Sequence, residues 1–252
     1  MIRQEIQKDQ PRKKGLWRFA EVFFGNLRDL SKLNLLFCLC VAPSVVIFLL
    51  GFFGFYTGIM YALSLLAAFP VGGAIAAYVF CTTRMLRDEP GYIWNDFKRK
   101  FLENMKQAAM PGILCVTFIY AQVLLWGTLL FTSASIDAVW LALGISALVV
   151  FGMVTPYVFL LIAYVDIKTT QVVKNSMVIA FIHAPRSFMG VLTGGLIWIA
   201  LILFLPVSLL AAPLILLIGV SFSLLLCLMW VWPPVNKLFK IEETLRERKQ
   251  IG

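Results

Sequence analysis

The chain has little of what catalysis or metal binding needs. It contains a single histidine among 252 residues, and no two of its five cysteines form a CxxC pair. All five cysteines lie in apolar runs, which argues against a zinc site and against an extracellular disulfide framework. No GxSxG, HExxH or GxxxxGK[ST] pattern occurs. We therefore predict a protein that is not an enzyme and that needs no cofactor and no metal.

Ionisable side chains are also scarce. Charged residues make up 14% of the chain, against about 25% in an ordinary soluble domain. Asp166 and Asp137 lie at the ends of apolar stretches, and no acidic or basic residue lies in the middle of one. Carboxylates buried in membrane helices mark proton pathways, so their scarcity argues against a pump built on a carboxylate relay.

Long apolar stretches are abundant. Hydrophobic residues make up 61% of the chain, and six stretches reach the roughly 20 residues that a helix needs to cross a bilayer. We predict an all-α membrane protein with spans at about 33–55, 58–83, 108–131, 138–165, 190–210 and 212–231. An N-terminal segment (1–33), a six-helix membrane domain (34–233) and a basic tail (234–252) follow from this pattern.

The basic residues orient the predicted spans. All 22 Lys and Arg lie within residues 1–32, 84–106, 168–186 and 237–249. The other three connections, near Tyr56, Ser133 and Ala211, contain none. Because cytoplasmic loops carry an excess of Lys and Arg, both termini and the two longer loops are predicted to be cytoplasmic. This distribution explains the net charge of +9 without nucleic acid as a partner.

Two cytoplasmic segments have an amphipathic pattern. The apolar pattern of residues 16–32 predicts a helix that lies along the inner membrane surface, with an extension of the first span as the alternative. After Pro90 and Gly91, apolar residues recur every four positions, which indicates a helix that either lies on anionic lipid or docks a cytoplasmic partner. The candidate docking residues are Ile93, Phe97, Phe101, Met105, Lys98 and Arg99. Asp96 and Lys100 have the spacing of an ion pair within this helix.

Proline marks several predicted boundaries. Pro185 is predicted to end a helix in the second cytoplasmic loop, and Pro233 with Pro234 to close the last span. Pro43, Pro70, Pro156 and Pro206 fall inside spans, where they either kink a transporter helix or serve ordinary packing.

Two sets of residues within the spans are candidates for contacts between helices. Small residues allow helices to approach closely, either within one chain or in a homodimer. The candidate packing residues are Gly72, Gly73, Ala76, Ala77, Gly190 and Gly194. Polar residues either line a cavity for an uncharged solute or form hydrogen bonds between helices. The candidate cavity residues are Asn34, Gln122, Tyr157 and Asp166.

Three stretches carry a resemblance to a known family. They are FFGNLRDLSKLNLL (23–36), GGAIAAYVFCTTRMLRDE (72–89) and WNDFKRKFLENMKQA (94–108). The chain resembles the YesL-like integral membrane proteins of bacteria, a domain of unknown function numbered 624, although Gly73 stands where that family typically has proline. The resemblance implies a multi-pass protein of the bacterial inner membrane beside carbohydrate importers of the ATP-binding-cassette type. It implies no catalytic residues.

These observations lead to two functional hypotheses. The first is a non-enzymatic accessory component of a carbohydrate uptake system, with importer permease or ATPase subunits as partners. The alternative is a small-solute transporter or channel in its own right, with the polar residues of the spans along the solute path.

Overall fold

The computed structural model describes residues 15–54, 57–131, 138–203 and 215–251. Within these ranges the chain is helical and contains no strand, so the predicted all-α architecture is confirmed. The helices are α1 (Leu16–Gly25), α2 (Leu27–Phe52), α3 (Thr57–Ala67), α4 (Phe69–Leu86), α5 (Ile93–Phe131), α6 (Ala138–Tyr164), α7 (Thr169–Ile182), α8 (Ala184–Leu203), a π-helical turn (Ile215–Gly219), α9 (Val220–Phe239) and α10 (Ile241–Ile251). The predictions for Tyr56, Ser133, Asp137, Pro206 and Ala211 lie outside the described residues.

The described helices include several that are long and apolar enough to cross a membrane. Five meet this condition: α2, α4, α5, α6 and the segment Leu217–Phe239. A sixth span results if α7 and α8, which are bent by 95° at His183, count as one broken span. The multi-pass character predicted from the sequence is thus present in the fold.

The first amphipathic segment is shorter than predicted. The predicted helix over 16–32 is interrupted at Asn26, which leaves helical geometry with φ −119° and ψ 20°. Its side-chain Nδ2 donates a hydrogen bond to Val22 O at 2.9 Å, which satisfies a carbonyl in the last turn of α1. Residues 27–32 therefore form the first turns of α2 instead of lying in the surface helix.

The second predicted span is divided into two helices. The segment predicted over 58–83 breaks at Ala68, between α3 and α4. Pro70 lies in the first turn of α4, where a backbone N–H has no partner within the helix and its loss costs little. The proline thus begins a helix here and does not kink one.

The predicted cytoplasmic helix and third span form one continuous helix. Helix α5 has 39 residues and passes through Pro111 without a break. At 1.5 Å per residue it is about 58 Å long, roughly twice the thickness of the hydrocarbon core. One end of α5 must therefore extend well beyond the apolar layer.

The last span does not end at its prolines. Pro233 and Pro234 both lie inside α9, which continues to Phe239 and ends at Lys240 in the left-handed region with φ 47°. The prediction that these prolines close the span is wrong. Each ring removes one helical hydrogen bond, but side-chain packing of Pro234 and Val235 in the core keeps the helix in place. By contrast, α7 ends at Ile182 and Pro185 is the second residue of α8.

Helix α4 is the central helix of the fold. In the 18-residue apolar stretch of α4, 72% of the residues are buried, against 17% in the corresponding stretch of α2. The hydroxyl of Tyr78 in α4 donates a hydrogen bond to Asn34 Oδ1 of α2 at 2.9 Å, and it lies 2.6 Å from Ser221 Oγ of α9. The backbone N–H of Ser221 also donates to Asn34 Oδ1 at 3.1 Å. Three helices are thereby joined by hydrogen bonds that carry no charge.

Candidate functional site

Three buried arginines lie where α4 ends. Arg18, Arg84 and Arg87 are 9%, 6% and 5% exposed. A buried charge costs several kcal/mol unless an opposite charge and hydrogen bonds compensate it. We call this part of the molecule, where α1, the end of α4, the start of α5 and the end of α9 meet, the charged end.

Arg84 is compensated by α5. Its Nη1 forms an ion pair with Asp96 Oδ2, and Asp96 Oδ1 accepts a second hydrogen bond from Arg99 Nη2 at 3.2 Å. A Cβ at Gly91 would overlap the Arg84 guanidinium and the Asp96 carboxylate, so the pair would have to shift to accommodate a side chain there. The predicted pairing of Asp96 with Lys100 is wrong, because Asp96 faces α4 and Lys100 Nζ lies 2.7 Å from Glu103 Oε2.

Arg18 attaches α1 to the loop that follows α4. Its Nη2 donates to Leu86 O at 2.8 Å and to Asp88 Oδ2 at 2.5 Å. Its Nη1 donates to Glu21 Oε2 at 3.1 Å. Asp88 has φ 58°, an unusual conformation for a residue with a side chain, and its carboxylate is held by this contact. One guanidinium thus satisfies an open carbonyl at the end of a helix and two carboxylates.

Arg87 connects the end of α4 to α6 and α9, and through α9 to α10. Its Nη2 lies 3.1 Å from Glu89 Oε2, and its guanidinium lies 5.2 Å from the ring centre of Tyr164 and 5.4 Å from that of Trp232. These distances are typical of cation–π contacts. Trp232 Nε1 in turn donates to Glu242 Oε1 at 3.4 Å. The arginines therefore connect α1, α4, α5, α6, α9 and α10 into one unit.

The structure divides the predicted docking residues into two groups. Ile93 and Phe97 are each 5% exposed, and Phe101 and Met105 are partly buried beside α4. A docking surface must be exposed, so this apolar face belongs to the interior of the protein. Lys98 and Arg99 point the other way and are exposed. The apolar repeat was predicted to lie on anionic lipid or to dock a partner, whereas the structure buries Ile93 and Phe97 within the protein.

The small residues form contacts within the chain. A Cβ on Gly72 would overlap the carbonyl oxygen of Ala108, and a Cβ on Gly112 would overlap the backbone of Gly72. Gly73 lies against Met105, while Ala76 and Ala77 are fully buried. A Cβ on Gly190 would lie 3.4 Å from Cys227 Sγ, and one on Gly194 would lie 3.0 Å from Ser223 O. Helices of the same chain occupy both faces, so a homodimer would need another surface.

The four candidate cavity residues do not meet. Asn34 bonds to Tyr78 and Ser221, as described above. Gln122 Nε2 donates to Gly144 O at 3.4 Å, and Tyr157 OH lies 3.0 Å from Ser187 Oγ. Asp166 is exposed at the end of α6. Each of the three polar side chains inside the spans thus forms a hydrogen bond to a neighbouring helix.

Sequence reasoning missed the buried arginines. Arg84 and Arg87 are three residues apart in RMLRDE, so they point to neighbouring sides of one helix. The adjacent acids Asp88 and Glu89 were the available signal for ion pairing. Their burial depends on α5, α6 and α9, which are distant in sequence.

Two cavities lie beside the end of α9, and the second of them borders the charged end. The first, of about 430 Å³, is lined by Ile182, His183, Pro185, Arg186, Pro234 and Lys237. The second, of about 420 Å³, is lined by Arg18, Leu86, Met229, Trp232, Pro233, Asn236, Lys237 and Glu242. Lys237 is common to both cavities, so they lie next to each other.

The described residues contain no group of three or more His, Cys, Asp or Glu side chains that could hold a metal ion. Comparison of the chain with protein-family models, with curated proteins and with solved structures finds no match. The long apolar helices nevertheless define its class: it is a multi-pass helical membrane protein.

Proposed function

We propose that this protein is a non-enzymatic accessory component of a carbohydrate uptake system in the bacterial inner membrane. In this proposal it is related to the YesL-like proteins, both termini are cytoplasmic, and it binds an importer permease or ATPase subunit through the first part of α5. The observation that carries the proposal is an exposed basic and aromatic stripe on that helix, supported from behind by the charged end.

The stripe consists of four residues at four-residue spacing: Trp94, Lys98, Leu102 and Lys106. Trp94 is 63% and Leu102 56% exposed, and both lysines are exposed. Among the described residues neither lysine has an ion-pair partner. Tryptophan is enriched among the residues that dominate binding energy at interfaces, and free basic charge favours an acidic partner surface. The stripe therefore fits an acidic face of a cytoplasmic importer subunit.

The support behind the stripe is rigid. The Arg84–Asp96 pair and the close approach of Gly72 to Ala108 fix the opposite side of α5 to α4. A surface that is already ordered loses less conformational entropy when a partner binds. This arrangement suits a docking role better than a gating role, which would require α5 to move.

Charge reversal at Lys98 tests this proposal. In co-purification of the tagged protein from its native membrane in mild detergent, Lys98→Glu should lower the recovery of importer permease or ATPase subunits at least tenfold. The expected loss reflects the removal of an attractive charge and the introduction of a repulsive one at an acidic interface, where like charges cost several kcal/mol. Quantitative mass spectrometry provides the measurement.

Arg28→Glu is the matched control, because Arg28 is also an exposed basic residue near the charged end but lies on α2. It should leave recovery unchanged. Wild-type protein that purifies without importer subunits, or equal recovery with Lys98→Glu, would contradict the proposal.

A further inference from the structure

The cavity between the α7–α8 bend and α9 has the lining of an anion site. Three of its six lining residues are His183, Arg186 and Lys237, and none of the six is acidic. Among the described residues Arg186 and Lys237 have no ion-pair partner. Its volume of about 430 Å³ lies in the usual range of ligand sites, about 300–1,000 Å³. We propose that this cavity binds a phosphate-bearing anion, with the headgroup of an anionic phospholipid as the source that its position favours.

Hydrogen bonds at the α7–α8 bend position the backbone that lines the cavity. The 95° bend at His183 brings the end of α7 and the start of α8 to the cavity. His183 Nδ1 lies 3.3 Å from Ile179 O, so the imidazole is oriented by the preceding turn. Ser187 Oγ donates to Ala180 O at 2.9 Å across the bend, which ties the two helices together. Pro234, which is buried in α9, forms the opposite wall.

The cavity lining contains no acid, and Glu242 and Glu243 of α10 have other partners. Glu242 of α10 lines the neighbouring cavity, and its Oε1 lies 3.4 Å from Trp232 Nε1. Glu243 pairs with Lys240 at 3.5 Å. On α7 the only charged residue is Lys174, which is exposed, lies about two helical turns before Ile182 and does not line the cavity. The local balance around Arg186 and Lys237 is therefore positive.

Exposed apolar residues next to the cavity favour a lipid. On α7, Met177, Val178, Phe181 and Ile182 are 48%, 49%, 56% and 70% exposed. Exposed apolar side chains on a helix that can form part of a broken membrane span indicate contact with lipid. Ile182 also lines the cavity, so a headgroup bound beside Arg186 would have an apolar surface next to it for its acyl chains. Basic pockets between membrane helices on the cytoplasmic side are a known mode of phospholipid binding.

The test uses the full-length protein, delipidated in detergent and titrated with phosphatidylglycerol, with bound lipid counted by native mass spectrometry. Replacement of Arg186 and Lys237 together by glutamine should weaken binding roughly thirtyfold, the loss expected for two basic groups at a headgroup site. The double variant Arg28→Gln, Lys174→Gln removes two exposed basic residues elsewhere and should bind like the wild type.

Two further measurements complete the design. Displacement of phosphatidylglycerol by millimolar inorganic phosphate would identify free phosphate as an equally good ligand, whereas resistance to it supports the lipid. A photoactivatable phosphatidylglycerol should label the wild-type protein within 182–186 or 234–237. Equal affinity of the Arg186, Lys237 variant, an equal loss in the Arg28, Lys174 control, or labelling only elsewhere would overturn the proposal. None of these results depends on an importer partner.

Discussion

Replacement of Gly72 by alanine should destabilise this protein more than any other single methyl addition. The added Cβ would overlap the carbonyl oxygen of Ala108, and Gly112 lies against the same point. Backbone atoms cannot rotate away as a side chain can, so α4 and α5 would have to separate. We expect a loss of at least about 3 kcal/mol in the free energy of unfolding, at the upper end of overpacking costs. Size-exclusion chromatography of a fluorescent fusion after heating measures the loss.

The chain provides a graded set of controls for this substitution. A Cβ on Gly194 would lie 3.0 Å from Ser223 O, so Gly194→Ala should have an intermediate effect. A Cβ on Gly195 would meet nothing within 4 Å, and alanine is the better helix former, so Gly195→Ala should be neutral or slightly stabilising. An equal stability of the Gly72 and Gly195 variants would show that α4 and α5 do not approach as described.

Removal of the Asp96 carboxylate should have the second large effect. Asp96→Ala leaves the Arg84 guanidinium buried without its ion-pair partner, and breaking a buried pair in this way typically costs about 3–5 kcal/mol. The start of α5 would then lose its attachment to α4. We expect a marked fall in thermal stability, together with faster proteolysis of the segment between the two helices, measured by limited digestion in detergent.

A double variant separates charge from contact in this result. In Arg84→Met with Asp96→Ala both charges of this pair are gone, so no unpaired charge is left at the contact and much of the lost stability should return. Arg99→Gln removes only the outer partner of Asp96. The Arg99 side chain is 58% exposed, so this substitution should cost at most about 1 kcal/mol. A cycle in which the two single substitutions simply add would count against the pair.

The sequence predicted the features that depend on composition and local pattern. Apolar length identified the membrane spans, and the small residues around Gly72 indicated where helices approach closely. The four-residue repeat from Ile93 identified one face of α5 that avoids water. Each of these signals is present within about twenty residues of the chain, which is the range in which helical periodicity acts.

The features that the sequence did not predict depend on neighbours that are distant along the chain. Phe97 was expected on an outer docking face, but α4 covers it, and nothing near Phe97 in sequence indicates that contact. Asp96 was expected to pair with Lys100 but is taken by Arg84, which lies before a loop. Pro233 and Pro234 were expected to end α9. Their effect on the helix was overridden by packing, because tertiary contacts can outweigh local propensity.

The central position of α4 affects how the protein is assembled during synthesis. Among the five helices that qualify as spans, α4 is the least apolar, and it is also the most buried. Helix α2 is the most apolar of the five and only 17% of its apolar stretch is buried, so we expect it to enter the bilayer alone. Transfer of α4 into lipid is less favourable because α4 is less apolar. Its burial depends on neighbouring helices such as α5, which emerge later from the ribosome. We therefore expect its stable insertion to wait for α5, whose glycine-matched surface and Asp96 complete its surroundings.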